Sequence, residues 1–220
     1  WEAFDGRDWS SLLQEQPQFA DKCDKWEEFN GWDWRWLLEK QPQFADKCDK
    51  WDEFDGEDWS CLLCEQPQFA DKCDKWDEID SEDWVELLCS QPQFADKCNW
   101  KKFKSRDWQK LLASHPEYGK YCNWQKLTGE DWCWVLRSHP HFFKKCKWRK
   151  LNGSQWRFLL SYRPEFARFC NWKKLKPQDW QMLLEVRPEF AEKYQEYSSK
   201  DKFFCHFLQK IIPFNSRSKI

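Results

Sequence analysis

An all-α solenoid of eight helix-turn-helix repeats, closed by a C-terminal capping helix, is the fold this sequence predicts. Three observations carry that prediction. The octapeptide QPQFADKC recurs letter for letter at 16–23, 41–48, 66–73 and 91–98. Tryptophan opens a repeat at Trp1, Trp26, Trp51, Trp76, Trp100, Trp124, Trp148 and Trp172, in steps of 25 or 24 residues. Within each repeat the apolar residues at positions 9, 12 and 13 share one face of a helix. A period this short marks a stacked array in which no repeat can bury its apolar face alone.

Each element follows in chain order. Position 5 is usually Asp, Asn or Thr and position 8 is Asp or Gln, as in DGRDW, TGEDW and NGSQW. That spacing is a capping box, in which two side chains satisfy the free amides of a helix start. Pro177 stands at position 6 of the last repeat, a welcome first helical residue. The first helix is therefore expected over positions 6 to 15. It must stop before the proline at 17, because that ring pushes its predecessor out of helical geometry. The same proline opens a second helix over PQFADKC. CDKW shortens to CNW where the step falls from 25 to 24, which marks a loop between Cys and the next Trp. Five of the six glycines occupy position 6, where they serve helix entry and form no phosphate-binding loop. Sixteen of the nineteen tryptophans stand at positions 1 and 9, the periodicity of a packed core. The repeats thus fill 1–194. The tail 195–220 opens with a Ser198/Asp201 cap and spaces Phe203, Phe204, Phe207, Leu208 and Ile211 as one helical face, expected to cover the last core surface.

The spacing L..L…D…LL…P in about 24 residues resembles the leucine-rich variant repeats and, more loosely, the HEAT-type repeats, over the first eight-ninths of the chain. Trp replaces Leu at two places, and a second proline of the leucine-rich variant repeat is missing. The resemblance implies a right-handed superhelix and a binding role, without a particular ligand.

Net charge is −2, yet residues 1–99 carry 27 acidic and 10 basic side chains while residues 100–220 carry 11 and 26. The halves are therefore −17 and +15. Such asymmetry favours head-to-tail self-association, or gives the basic residues 100–220 an anionic partner such as nucleic acid or a membrane surface. No apolar run reaches the roughly 18 residues of a membrane span. A chain that opens on Trp1 is expected to be a fragment or a processed product. Thiols at core positions fit a reducing cytoplasm, with a secreted origin left open.

The clearest functional signal is a contrast between copies. Positions 16 to 23 are invariant across repeats 1 to 4, including the polar Gln18, Asp21 and Lys22, whereas positions 7, 10, 11 and 14 change class at almost every step. On a 3.6-residue helix these four positions form a stripe opposite 9, 12 and 13. Stacked repeats would set the stripes side by side as a receptor surface of constant shape and changing chemistry. Its candidate binding residues are Arg7, Trp32, Arg35, Trp36, Glu57, Cys61, Cys64, Glu86, Cys89, Arg106, Lys110, Glu130, Trp134, Arg137, Arg157, Phe158 and, at its edge, Tyr162. Trp, Tyr and Arg dominate interface hot spots because they bury large areas with few rotamers or make forked hydrogen bonds.

Catalytic chemistry finds no foothold in the sequence. Seven cysteines repeat at position 23 as small buried hydrophobes. Cys61, Cys64 and Cys89 sit close enough on the stripe to suggest a thiolate pair, but without a nearby His or a second CxxC they make no metal site. His115 and His139 read as helix-junction residues at position 16, and no nucleophile elbow, P-loop or zinc-protease motif is present. The sequence therefore predicts a non-catalytic scaffold with no cofactor, binding a protein or peptide through the variable stripe. Base-by-base reading of nucleic acid and architectural self-assembly are the alternatives.

Overall fold

The structure is a computed structural model that describes residues 1–198. It divides into two compact units, Trp1–Cys122 and Asn123–Ile220. The first holds five ten-residue helices, α1 (Gly6–Glu15), α2 (Gly31–Lys40), α3 (Gly56–Glu65), α4 (Ser81–Ser90) and α5 (Ser105–Ser114). The second holds α6 (Gly129–Ser138), α7 (Gly153–Tyr162), α8 (Pro177–Val186) and α9 (Ala191–Ser198). Among the described residues there is no strand, and successive first helices pack side by side within each unit, as an all-α solenoid requires. Residues 199–220 of the cap expected at 195–220 lie outside the described residues. Its first residues, 195–198, belong to α9, which crosses the expected boundary at 194.

The capping boxes form where the spacing placed them, except at α4, where Asp80 accepts from the Glu82 and Asp83 amides without a return bond. The Asp8 amide donates to Asp5 Oδ1 (2.9 Å) and the Asp5 amide to Asp8 Oδ2 (3.2 Å). Asn30/Asp33, Asp55/Asp58, Thr128/Asp131 and Asn152/Gln155 repeat that exchange. Lys104 and Lys176 cannot accept such a bond, so α5 and α8 keep only the return half, from the Lys amide to Asp107 and Asp179. Helix α1 ends at Gln16, whose amide donates to the Leu12 carbonyl before Pro17 interrupts the ladder.

The second helix differs from expectation. PQFADK is a 3-10 helix at Pro17–Lys22, Pro42–Lys47 and Pro67–Lys72, with amides reaching back three residues, as from Phe19 to Gln16 O. A six-residue segment that begins with a residue lacking an N–H gains little from i−4 bonds, and the tighter turn suffices. A third element was not foreseen: a one-turn 3-10 helix starts at Trp26, Trp51, Trp100, Trp148 and Trp172.

Every position-9 tryptophan is buried, from Trp9 to Trp180, beside the leucines of positions 12 and 13 and the position-4 residues Phe29, Phe54, Ile79, Phe103, Leu127 and Leu151. The position-1 tryptophans are a correction. They form a lid over this core, mostly half-buried, each stacked on its own position-9 ring, as in Trp26 on Trp34 (5.6 Å, 16°) and Trp148 on Trp156 (5.4 Å, 14°). Their outer faces are covered by position 22. Lys47, Lys72 and Lys97 place an ammonium 5.0, 4.9 and 5.9 Å from Trp26, Trp51 and Trp76, while Tyr121 and Phe169 stack on Trp100 and Trp148. The invariant lysine of PQFADK is thus a cation–π contact.

Two further polar positions tie neighbouring repeats together. Gln41, Gln66 and Gln91 donate from Nε2 to the carbonyls of Gln14, Glu39 and Cys64 on the preceding helix, at 2.6–2.7 Å. Arg163 and Arg187 do the same to Arg137 and Ser161. Gln43, Gln68 and Gln93, at position 18, hold those glutamine amides in place.

A lysine clamps the preceding Trp turn. Lys25 donates to the carbonyls of Glu2 and Phe4, and Lys75 to those of Asp52 and Phe54. After the one-residue deletion that lysine is lost, and position 3 changes from Glu to Lys. Lys102 then binds Asp77 and Ile79, Lys150 binds Gln125 and Leu127, and Lys174 binds Arg149 and Leu151. The same carbonyl pair is held from a different register.

Candidate functional site

The stripe predicted from the sequence resolves into two kinds of position. Position 10 faces the next helix. Ser10 Oγ donates to the Asp33 carbonyl at 2.8 Å, and the Cys133 thiol to the Gln155 carbonyl at 3.3 Å. Ser60 and Val85 are buried. Arg35, expected on the binding surface, is largely covered: it donates from NH1 to Glu39 at 2.6 Å, and its Nε lies 3.1 Å from Asp58 Oδ1 in an ion pair too bent for a hydrogen bond. Arg157 stands likewise 3.8 Å from Asp179. The reason is angular: helices packed on both flanks leave solvent only a narrow sector, and position 10 falls outside it. The free ridge is therefore built from positions 7, 11, 14 and 15.

On the N-terminal unit the ridge carries one aromatic island. Trp32 is 45% exposed and meets Trp36 edge-on at 5.7 Å. The Arg7 guanidinium lies 5.2 Å from the Trp32 ring and that of Arg35 4.4 Å from the Trp36 ring, which is itself half-buried. Beside Trp32 a cavity of about 450 Å³ is lined by Glu53, Asp55, Glu57 and Asp58 together with Arg35. Burial pushes the Asp58 carboxyl up in spite of Arg35. Farther along, burial and then the charges of Asp80, Glu57, Glu86 and Asp55 push Asp83 up to about 6. Glu57 is exposed beside the island, and Glu86, Arg106 and Lys110 are exposed farther along the ridge.

Cys61, Cys64 and Cys89 share this ridge. Burial raises all three thiols, Cys64 to about 11 with a Ser90 hydrogen bond opposing. Thiols so raised carry almost no thiolate at neutral pH, and thiolate is the form that attacks or ligates. Among the described residues no cluster of His, Cys, Asp and Glu is placed to hold a metal.

The C-terminal unit carries a larger patch. Trp134 (37% exposed), Tyr162 (48%), Met182 (48%) and Val186 (58%) stand at positions 11 and 15 of three consecutive helices. Phe158 joins them, 5.1 Å from Trp134 and 5.0 Å from Tyr162. At their centre the Arg137 guanidinium lies 4.0 Å from Tyr162, 5.3 Å from Trp134 and 5.9 Å from Phe158. A cavity of about 390 Å³ opens beside Trp134 and Phe158, reaching Glu130 and Arg157. Sequence reasoning missed Met182 and Val186 because it chose residues by hot-spot type. Their repeat positions would have found them, since Met182 stands at position 11 with Trp134 and Phe158 and Val186 at position 15 with Tyr162.

Among the described residues no helix is long and apolar enough to cross a membrane. No protein-family model, curated protein or solved structure matches the chain.

Proposed function

We propose that this chain is a non-catalytic repeat scaffold that binds a protein or peptide segment on the ridge of its first helices. The observation that carries this reading is the apolar face of α6, α7 and α8, where Trp134, Phe158 and Tyr162 gather around Arg137 and Met182 and Val186 stand exposed on the neighbouring helix α8. Scattered exposed apolar residues need no explanation, but a contiguous set rimmed by polar groups is the usual mark of an interaction surface. The aromatic rings supply area at low rotamer cost, and Arg137, held against them, leaves its N–H edge for a carboxylate. A segment with an apolar anchor and a nearby acidic residue is the matching partner. Clamped neighbours keep the ridge preorganised, which lowers the ordering cost of association. The Trp32 and Trp36 island offers a second, acid-rimmed contact.

The test is selection of a random peptide display library on the intact chain. Selected peptides are expected to lose on the order of 100-fold in affinity on Trp134→Ser with Tyr162→Ser, two hot-spot truncations at once. Helical circular dichroism should not change. Peptides that bind the double variant as well as the parent would refute the ridge as the site.

A further inference from the structure

The charge reversal along the chain resides mainly on the connecting elements, with a smaller change on the helix ridge. In the acidic repeats Glu27, Asp52 and Asp77 occupy position 2 and Asp46, Asp71 and Asp96 position 21, all exposed on the Trp turns and the 3-10 helices. In the C-terminal unit the same two positions carry Arg149, Lys173, Lys144 and Arg168, also exposed, with Gln125 and Glu192 the two that are not basic. The change at position 3 has a structural cause, since its lysine replaces the clamp lost with the deletion. No clamp accounts for the side chains at positions 2 and 21, although Lys144 lies 5.9 Å from the Phe143 ring and Arg168 5.6 Å from Phe143 and 4.7 Å from Phe169. Among the described residues none of these ten side chains takes part in an ion pair, and the pairs on this edge, Lys25–Glu28 and Lys50–Glu53, use position 3 instead.

Two edges built from the same elements advance by the same step, one helix packing distance of about 8–10 Å per repeat. They therefore match in pitch and oppose in sign. We infer that the chain associates with further copies of itself, the acidic edge of repeats 1 to 4 in one copy lying on the basic edge of repeats 6 to 8 in another. A nucleic acid would match only the basic edge and be repelled by the acidic one; a second copy satisfies both. The net charge of −2 leaves little overall repulsion between copies to oppose the contact. This surface is separate from the helix ridge, so neither reading depends on the other.

Sedimentation of the full chain tests it. In about 20 mM salt the weight-average mass should rise with concentration, and in about 0.5 M salt it should fall to the monomer, because screening shortens the reach of exposed charges to a few ångströms. A variant with Lys144→Glu, Arg149→Glu, Arg168→Glu and Lys173→Glu is acidic on both edges. One with Asp46→Lys, Asp52→Lys, Asp71→Lys and Asp77→Lys is basic on both. Each alone should stay monomeric in low salt, and an equimolar mixture should associate. All eight side chains are exposed and the clamps at Asp52, Asp77 and Arg149 use main-chain carbonyls that the substitutions keep; circular dichroism checks that both variants fold. A parent that stays monomeric in low salt, a variant that still self-associates, or a mixture that does not associate overturns the inference. So does a parent that stays monomeric yet binds a 20-nucleotide single strand in the same buffer, which would assign the basic edge to a polyanion.

Discussion

Gly56 illustrates how close the repeats stand at the level of one residue. A Cβ there would lie 2.6 Å from the carbonyl carbon and oxygen of Glu78 and 2.8 Å from the Ile79 amide nitrogen. Those are backbone atoms of a packed neighbour, and they cannot swing aside. Gly56→Ala is expected to cost about 2 kcal/mol, the scale of overpacking, read as a lower urea midpoint at unchanged slope. The sequence placed this glycine at helix entry; the actual constraint, the turn of the next repeat, comes from 22 residues away and leaves no local signature. Asp83 gives a pH-dependent counterpart. Its carboxyl is raised to about 6 in the fold from about 3.9 in an unfolded chain, so the fold favours the protonated form. The stability this adds is complete below pH 4 and lost as pH rises through 6. Asp83→Asn should therefore raise the melting temperature at pH 7, by a stabilisation on the order of 1 kcal/mol once screening of a half-exposed group is allowed for. The gain should vanish near pH 4.

At the level of the element, the first helices were legible in full, since capping boxes and prolines are local signals that bound them to the residue. The 3-10 character of PQFADK was not legible, because its length suits either helix and its shape depends on setting Phe44 and Lys47 against Trp26. Its invariance has a structural cause, since Gln41, Gln43 and Lys47 hold the preceding carbonyl, the Gln41 amide and the Trp lid. The lysine clamp yields a sharp test. Lys174→Glu removes the bonds to Arg149 and Leu151 and should cost about 2 kcal/mol, as for charged hydrogen bonds. Inserting one lysine between Asn171 and Trp172 in that variant rebuilds the 25-residue register and should restore most of the loss, measured by urea denaturation. No recovery would mean that the two registers are not equivalent.

On the scale of the whole molecule, ten-residue helices are marginal alone, so stability must accrue from neighbours. Helix α1 has a neighbour only in α2 among the described residues; its Leu12 is half-buried, whereas Leu37 and Leu62 are fully buried in α2 and α3. Amide hydrogen exchange should accordingly be faster in α1 than in α3, which is packed on both sides. Equal protection would indicate that the repeats of the first unit open as one body. The same stacking sorts the charges: the ridge varies repeat by repeat, while the connecting edge turns from acidic to mainly basic at the deletion.

By itself the sequence determined the repeat period, the helix starts and stops, and the buried position-9 tryptophans, because each is written in residues close enough to act on one another along the chain. It also placed Trp32 and Trp134 on the exposed side of their helices. Only the tertiary structure decided which flank of each helix stays free, turning Arg35 and Arg157 inward and bringing Met182 and Val186 into one patch with Tyr162. That division has one cause. Periodicity along a helix gives the angle of a side chain, but its exposure is set by the neighbours packed on either side.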